Sequence, residues 1–148
     1  MNHSASSPQV SVIVPLFNEE ENVPILQAEL RAALRAIDHE FIFVDDGSAD
    51  HTVERIEAAP NLRVIRFEKN AGQSAAIYAG LQAARGQIVV LIDGDLQNDP
   101  ADIPKLVGEI SRGADLVCGY RALRRDTRLT ETRLQRLRKS LASERSES

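Results

Sequence analysis

The stretch Gln87–Gln97 reads QIVVLIDGDLQ and joins the most apolar run of the sequence directly to two aspartates. An apolar, β-branched run of this length, bounded by glycine, predicts a buried strand. Asp93 and Asp95 follow at i and i+2, which places both carboxylates on the same side of an extended chain. Two like charges so close repel each other unless a cation or a proton lies between them. The stretch therefore predicts a buried strand that ends in a cation site.

The residue types in this segment favour a hard divalent cation. Mg²⁺ and Mn²⁺ prefer oxygen ligands and usually take one or two carboxylates together with substrate phosphates. Gln97 lies two residues beyond Asp95 and would add a neutral oxygen. An isolated Asp-x-Asp pair is usually a solvated turn, and its position after a buried strand is what distinguishes this one. We therefore expect Asp93, Asp95 and Gln97 to be ligands of Mg²⁺ or Mn²⁺.

Short apolar runs alternate with stretches of helical period along the chain. Besides Gln87–Ile92, strands are predicted at Val10–Leu16, Glu40–Val44, Leu62–Phe67 and Ala114–Gly119. Helices are predicted at Glu21–Ile37, Asp50–Ala58, Gly72–Ala84 and Pro100–Ser111. This alternation predicts an α/β fold with a mostly parallel sheet flanked by helices. In such sheets ligands bind beyond the carboxyl ends of the strands.

Polar residues also follow the carboxyl ends of the first two predicted strands. Asn18 and Glu19 follow the first strand, and Asp45 and Asp46 follow the second. Because adjacent strand residues point to opposite faces, only one of the two aspartates needs to face the crevice. A carboxylate there could accept hydrogen bonds from a nucleotide base or a ribose. Gly72 either offers N–H groups to an anion at a helix start or simply begins that helix.

Composition and charge exclude several classes of protein. The chain has 148 residues, 43% of them apolar, which fits one globular domain with a tail. The single cysteine, Cys118, excludes an intramolecular disulfide. No apolar run approaches the ~18 residues of a membrane span, and no signal peptide is recognisable, so we expect a cytoplasmic protein. Residues 1–120 carry nine basic and eighteen acidic residues, which argues against nucleic acid as a partner.

Residues 121–148 differ from the rest, with nine basic and four acidic residues and five leucines. We expect a loose helix or a disordered tail, with peripheral contact to the cytoplasmic face of an anionic membrane as the alternative.

Taken together, these segments resemble the family 2 glycosyltransferases, which have the nucleotide-sugar-binding GT-A fold. The matching segments are Val14–Glu20, Val44–Asp50, Asn70–Gln73 and Asp93–Pro100. The resemblance covers residues 9–121 and points to the branch that moves a sugar onto a polyprenyl phosphate, dolichyl or undecaprenyl. It implies an inverting, metal-dependent transfer from a UDP- or GDP-linked sugar in a single displacement.

The resemblance also implies roles for individual residues. Those implied to bind the nucleotide are Pro15, Asn18, Glu19, Asp45, Asp46, Gly72 and Asp93. Those implied to hold the metal are Asp93, Asp95 and Gln97. Those implied to take part in catalysis are Asp93, Asp95 and Arg121. Phe17 departs from the family, which usually has tyrosine there, and Gly94 stands where alanine is common.

The family's catalytic domain normally continues well beyond the matching segment, so we expect a truncated domain. This predicts a disordered lead-in over residues 1–8, a partial glycosyltransferase domain over 9–121 and the basic tail over 122–148. An edge strand left exposed would favour self-association. One alternative function is a non-catalytic nucleotide- or metal-binding fragment. Another is a phosphatase with an Asp-x-Asp nucleophile. Such an enzyme usually has its reactive aspartate directly after the first strand, where this sequence has Pro15–Asn18 and no aspartate.

Overall fold

The computed structural model describes residues 7–111 and the backbone of residues 116–118. These residues form a five-stranded sheet in which every paired strand is parallel, in the order β3-β2-β1-β4-β5. The strands are β1 (Val10–Leu16), β2 (His39–Asp45), β3 (Leu62–Arg66), β4 (Ile88–Leu91) and β5 (Leu116–Cys118). The predicted α/β architecture is confirmed. The strand order reverses between β1 and β4, which is where open parallel sheets form a ligand crevice.

Three helices connect the described strands: α1 (Val23–Leu34), α2 (Gln73–Ala83) and α3 (Ile103–Ile110). Pro24 lies in the first turn of α1, where its missing N–H costs nothing. The helix predicted over residues 50–58 is wrong, because only a 3₁₀ turn forms at Val53–Arg55. Residues 48–52 instead form hydrogen bonds with the loop that follows β1. No helix in the described part of the chain is long and apolar enough to cross a membrane.

The two faces of the sheet carry separate apolar clusters. Alternate residues of β1 from Val10 to Leu16, with Phe41 and Phe43 of β2, pack on the side of α1 and α3. Ile13 and Ile42 lie in the other cluster, beneath the alanine-rich helix α2. Burial on both faces explains why these strands read as nearly continuous apolar runs.

Helix α2 lies very close to the sheet. A Cβ atom added at Gly80 would stand 2.4 Å from the Cγ2 atom of Ile13, so only glycine permits this separation. Because α2 follows the carboxyl end of β3, the start of the helix lies at the carboxyl edge of the sheet.

A buried polar network lies at the opposite edge. Glu40 accepts hydrogen bonds from the Ser11 hydroxyl at 2.6 Å and from the Arg63 guanidinium at 2.6 Å. Its carboxylate also accepts the Arg85 backbone N–H, and Ser11 accepts that of Gly86. Burial alone would raise the pKa of Glu40, but these hydrogen bonds and the Arg63 charge lower it below its ordinary value. The network joins the starts of three strands to the α2–β4 connection.

Candidate functional site

A cleft of about 440 Å³ opens at the carboxyl ends of β1, β2 and β4, where the strand order reverses. It is lined by Pro15, Leu16, Phe17, Glu19, Asp46, Asn70, Gly72, Gln73, Asp93, Gly94 and Asp95. Six of the residues predicted from sequence are thereby brought together: Pro15, Glu19, Asp46, Gly72, Asp93 and Asp95. Asn18, Asp45 and Gln97 do not line this cleft. Arg121 lies outside the described residues.

The Asp93–Asp95 segment lies against the end of β1. A Cβ atom at Gly94 would stand 2.5 Å from the Cδ2 atom of buried Leu16, so the segment lies in close contact with the end of β1. Its close approach places the Asp93 and Asp95 carboxylates beside the residues that follow β1.

Gln97 leaves the cleft because the backbone turns before it. Leu96 has a left-handed conformation, with φ of 61°, and its side chain packs against the core. The i, i+2, i+4 spacing that predicted Gln97 as a ligand applies only to an extended chain. In the structure the Gln97 side chain is exposed, and its backbone N–H donates to the Asp95 carboxylate at 3.2 Å.

The two carboxylates fit a divalent cation of the Mg²⁺ type. Asp93 and Asp95 offer hard oxygen atoms in one cleft. Over residues 7–111 and 116–118, no group of three or more His, Cys, Asp or Glu side chains could hold a metal ion. Mg²⁺ commonly completes its coordination with water and with the oxygen atoms of substrate phosphates.

Gln73 is a cleft residue to which the sequence assigned no role. It is the first residue of α2, and its Nε2 atom donates to Oδ1 of Asp93 at 2.9 Å. In the sequence, Gln73 is recognisable only as the glutamine directly after the glycine that begins a predicted helix. That position does not reveal that its side chain contacts Asp93.

Asp46 holds the segment that leads into α2. Its side chain is only 4% exposed, and its carboxylate accepts the N–H groups of Ala71 at 2.7 Å and Gly72 at 3.0 Å. The Asn70 amide donates to the same carboxylate at 3.1 Å. Gly72 has φ of 100°, which side-chain-bearing residues rarely adopt. Asp46 thus fixes this wall of the cleft in addition to lining it.

Asp45 points to the other face of the sheet. It is fully buried, and its carboxylate accepts the Ser48 backbone N–H at 3.1 Å and the Ser48 hydroxyl at 2.5 Å. Asp45 therefore closes the turn after β2. The alternation of strand residues required that one of the two aspartates turn away, and the structure shows which one does.

Asn18 joins two loops beside the cleft. It has a left-handed backbone with φ of 52°, its N–H donates to the Ser48 hydroxyl at 2.8 Å, and its Oδ1 atom accepts the Ala49 N–H at 2.9 Å. The next N–H, that of Glu19, donates to Thr52 at 2.9 Å. These bonds fix the loop after β1 against the loop after β2.

Glu19 is the acidic residue of the β1 wall. Burial raises the pKa of its carboxyl, and the hydrogen bond from Asn22 partly opposes that rise. Three neighbouring carboxylates also raise the pKa of Glu19: those of Asp95, Asp50 and Asp93. The cleft is therefore a region of negative potential that favours a cation.

The chain resembles known proteins over most of its length. The family model described as "Glycosyl transferase family 2" matches residues 11–147, and so extends from the described sheet across the basic segment. A dodecaprenyl-phosphate galacturonate synthase from Rhizobium johnstonii is 41% identical over 84% of this chain and 39% of its own length. An undecaprenyl-phosphate 4-deoxy-4-formamido-L-arabinose transferase from Yersinia enterocolitica is 37% identical over 89% of this chain and 42% of its own.

A solved structure of similar fold carries ligands. Glucosyl-3-phosphoglycerate synthase from Mycobacterium tuberculosis, in complex with Mn²⁺, UDP and glucosyl-3-phosphoglycerate, is 31% identical with a TM-score of 0.60. The match covers 72% of this chain and 41% of that one. The chain thus spans about two fifths of the length of the curated relatives described above. Because the family model covers most of its residues and the relatives exceed 30% identity, the chain belongs to glycosyl transferase family 2.

Proposed function

We propose that this chain carries the donor-binding part of a glycosyltransferase that moves a sugar from a nucleoside diphosphate to a polyprenyl phosphate. The observation that carries the proposal is the joint cleft, in which Asp46 stands on one wall and Asp93 and Asp95 on another. The relatives' printed names supply the acceptor class, because both act with a polyprenyl phosphate.

The acidic end of the cleft is suited to a diphosphate only when a cation is shared. We assign Asp93 and Asp95 to Mg²⁺ or Mn²⁺, and the Mn²⁺ and UDP bound by the mycobacterial synthase support this choice. When bound, the cation would neutralise charge that develops on the departing diphosphate. The two carboxylates would hold it, and it would offset their mutual repulsion.

The opposite end is suited to the nucleoside. Pro15 and Phe17 provide apolar surface, and Phe17 remains 46% exposed in the cleft. Asp46 keeps acceptor capacity at the same place, because each carboxylate oxygen can accept more than one hydrogen bond. We assign the base or ribose to this end. Asn18 and Asp45 support it indirectly by fixing the adjoining loops.

The reaction requires the protein mainly to position the donor and the acceptor phosphate. An oxygen of the acceptor phosphate attacks the anomeric carbon, the bond from that carbon to the β-phosphate oxygen breaks, and the nucleoside diphosphate leaves. The acceptor is already anionic near neutral pH, so no strong general base is needed. Catalysis is then mainly positioning and electrostatic stabilisation. Arg121, proposed to meet one of the phosphates, and the basic tail, proposed to contact the membrane, lie outside the described residues.

The direct test is thermal unfolding of the whole chain with UDP, GDP or CDP, each with and without Mn²⁺. Binding stabilises the native state by about 2.7 kcal/mol at a hundredfold excess over Kd, and so raises the midpoint of unfolding. We expect one nucleotide to raise it, and chiefly when Mn²⁺ is present. A cooperative transition that no nucleotide shifts would contradict the proposal.

Two variants separate the metal site from general charge effects. Asp95→Asn should remove the Mn²⁺-dependent shift and leave the midpoint of the free chain nearly unchanged. Glu109→Gln removes the same charge from the exposed side of α3 and should behave like the wild type. Transfer from the identified donor to polyprenyl phosphate is then measured. Donor binding without transfer would favour the alternative of a non-catalytic nucleotide-binding fragment.

A further inference from the structure

We propose that Gln73 is a positioning residue that fixes the Asp93 carboxylate for the cation. This rests on the function proposed above, since it takes Asp93 as a metal ligand. It adds a residue of a different element to the cation site, one that would not itself touch the metal.

The Gln73–Asp93 hydrogen bond joins the start of α2 to the segment that follows β4. Asp93 lies two residues beyond the end of β4, where the strand's ladder no longer fixes its backbone. Its Oδ1 atom accepts from Gln73 Nε2 at 2.9 Å. An orienting donor of this kind commonly sets the direction and the basicity of a metal ligand.

The amide is suited to this role because it is neutral. A lysine or arginine at position 73 would pair with Asp93 and compete with a cation for the carboxylate's charge. A glutamine N–H orients the carboxylate and leaves its full negative charge for the metal. A glutamine at position 73 therefore favours a role in orienting the Asp93 carboxylate, because it cannot form an ion pair with it.

Gln73 is itself held in place from the other side of the cleft. The preceding N–H groups of Ala71 and Gly72 donate to Asp46, which is almost fully buried. Helix α2 also packs tightly on the sheet at Gly80. The donor therefore projects from a fixed helix start, which reduces the entropy lost when Asp93 is oriented.

The test compares Gln73→Ala with Gln82→Ala in the full chain. Gln82 lies on the same helix, is exposed, and donates to the Tyr78 hydroxyl at 2.8 Å, away from the cleft. Mn²⁺ affinity is measured by electron paramagnetic resonance in the presence of saturating UDP or GDP. UDP or GDP affinity, whichever nucleotide the chain prefers, is measured separately in EDTA. Both variants exchange exposed glutamine for a better helix former, so the fold should be kept.

We expect Gln73→Ala to weaken Mn²⁺ binding by about tenfold, the lower range for loss of a residue that orients a ligand. Metal-free nucleotide affinity should stay within about twofold, since Asp46 and its segment are retained. Gln82→Ala should change neither. In an Asp93→Asn background, Gln73→Ala should cause no further loss, because its effect passes through that carboxylate.

Two results would overturn the inference alone. One is a Gln73→Ala variant that binds Mn²⁺ like the wild type. The other is an equal loss of Mn²⁺ and metal-free nucleotide binding, which would make Gln73 a general structural support. A wild-type chain that binds neither Mn²⁺ nor nucleotide would overturn the proposed function and this inference together.

Discussion

Replacing Asp46 by asparagine tests whether this residue supports the cleft as well as lining it. The Ala71 N–H donates to one carboxylate oxygen and the Gly72 N–H to the other, at 2.7 and 3.0 Å. An asparagine has one oxygen, so its NH₂ group must face one of these donors. The substitution therefore breaks at least one hydrogen bond and removes the charge that strengthens the second.

The expected loss follows from these contacts. An unsatisfied donor costs about 1–3 kcal/mol, and partial exposure of this segment favours the lower half of that range. We expect the free energy of unfolding of Asp46→Asn to fall by about 1–2 kcal/mol. For a domain of this size that lowers the midpoint by roughly 4 °C per kcal/mol. Nucleotide affinity should fall as well, because the 70–72 segment would no longer be fixed.

The assay is thermal unfolding of the ligand-free chain, followed by nucleotide binding with Mn²⁺. Asp38→Asn is the matched control, because it is the same substitution at an exposed position away from the cleft. A variant that keeps the wild-type midpoint and loses only nucleotide binding would refute the supporting role. The carboxylate would then serve the ligand alone.

Four further predictions concern other parts of the structure. Gly47→Ala should destabilise the chain by more than about 2 kcal/mol in urea unfolding, because φ is 71° and the new Cβ would stand 2.6 Å from the Asn70 nitrogen. Gly108→Ala, with open space in α3, should instead stabilise it by about 0.5–1 kcal/mol; a loss of stability there would contradict the stated packing. Glu40→Gln should cost about 1–3 kcal/mol at neutral pH. Because the folded pKa of Glu40 is lowered, its stabilisation is full above its ordinary value of 4.5 and is lost as the pH falls. The difference in urea midpoint should therefore shrink in acid, and a constant difference would refute this. Asn18→Ala should weaken nucleotide binding several-fold in titration calorimetry, by releasing the loop after β2, and an unchanged affinity would exclude this coupling.

The strands were predictable because their cause is local. A run buried on both faces must be apolar along its whole length, and Val10–Leu16 was predicted to the residue. The helix predicted at 50–58 failed because the competing partners are distant. Glu19 and Glu20 lie about thirty positions away in sequence. The Glu19 N–H donates to the Thr52 hydroxyl, and the Glu20 carboxylate accepts the His51 N–H. Such bonds are invisible to periodicity.

The candidate site was predictable to a similar extent. Parallel strands bring their carboxyl ends to one edge, so polar residues after β1, β2 and β4 had to lie near one another. That argument predicted that Asp93, Asp95 and one of Asp45 and Asp46 would share one cleft, as they do. It could not place Gln97, because a single left-handed residue, Leu96, changes the direction of the chain.

The α/β architecture, the acidic pair after β4 and the membership of the family could all be inferred from the amino-acid sequence. These properties depend on residue type, order and spacing, which a sequence contains directly. The folded chain was needed to show which of Asp45 and Asp46 faces the cleft, and that Gln73 contacts Asp93. Those outcomes depend on hydrogen bonds between residues far apart in the chain, whose geometry exists only after the sheet and α2 have packed together.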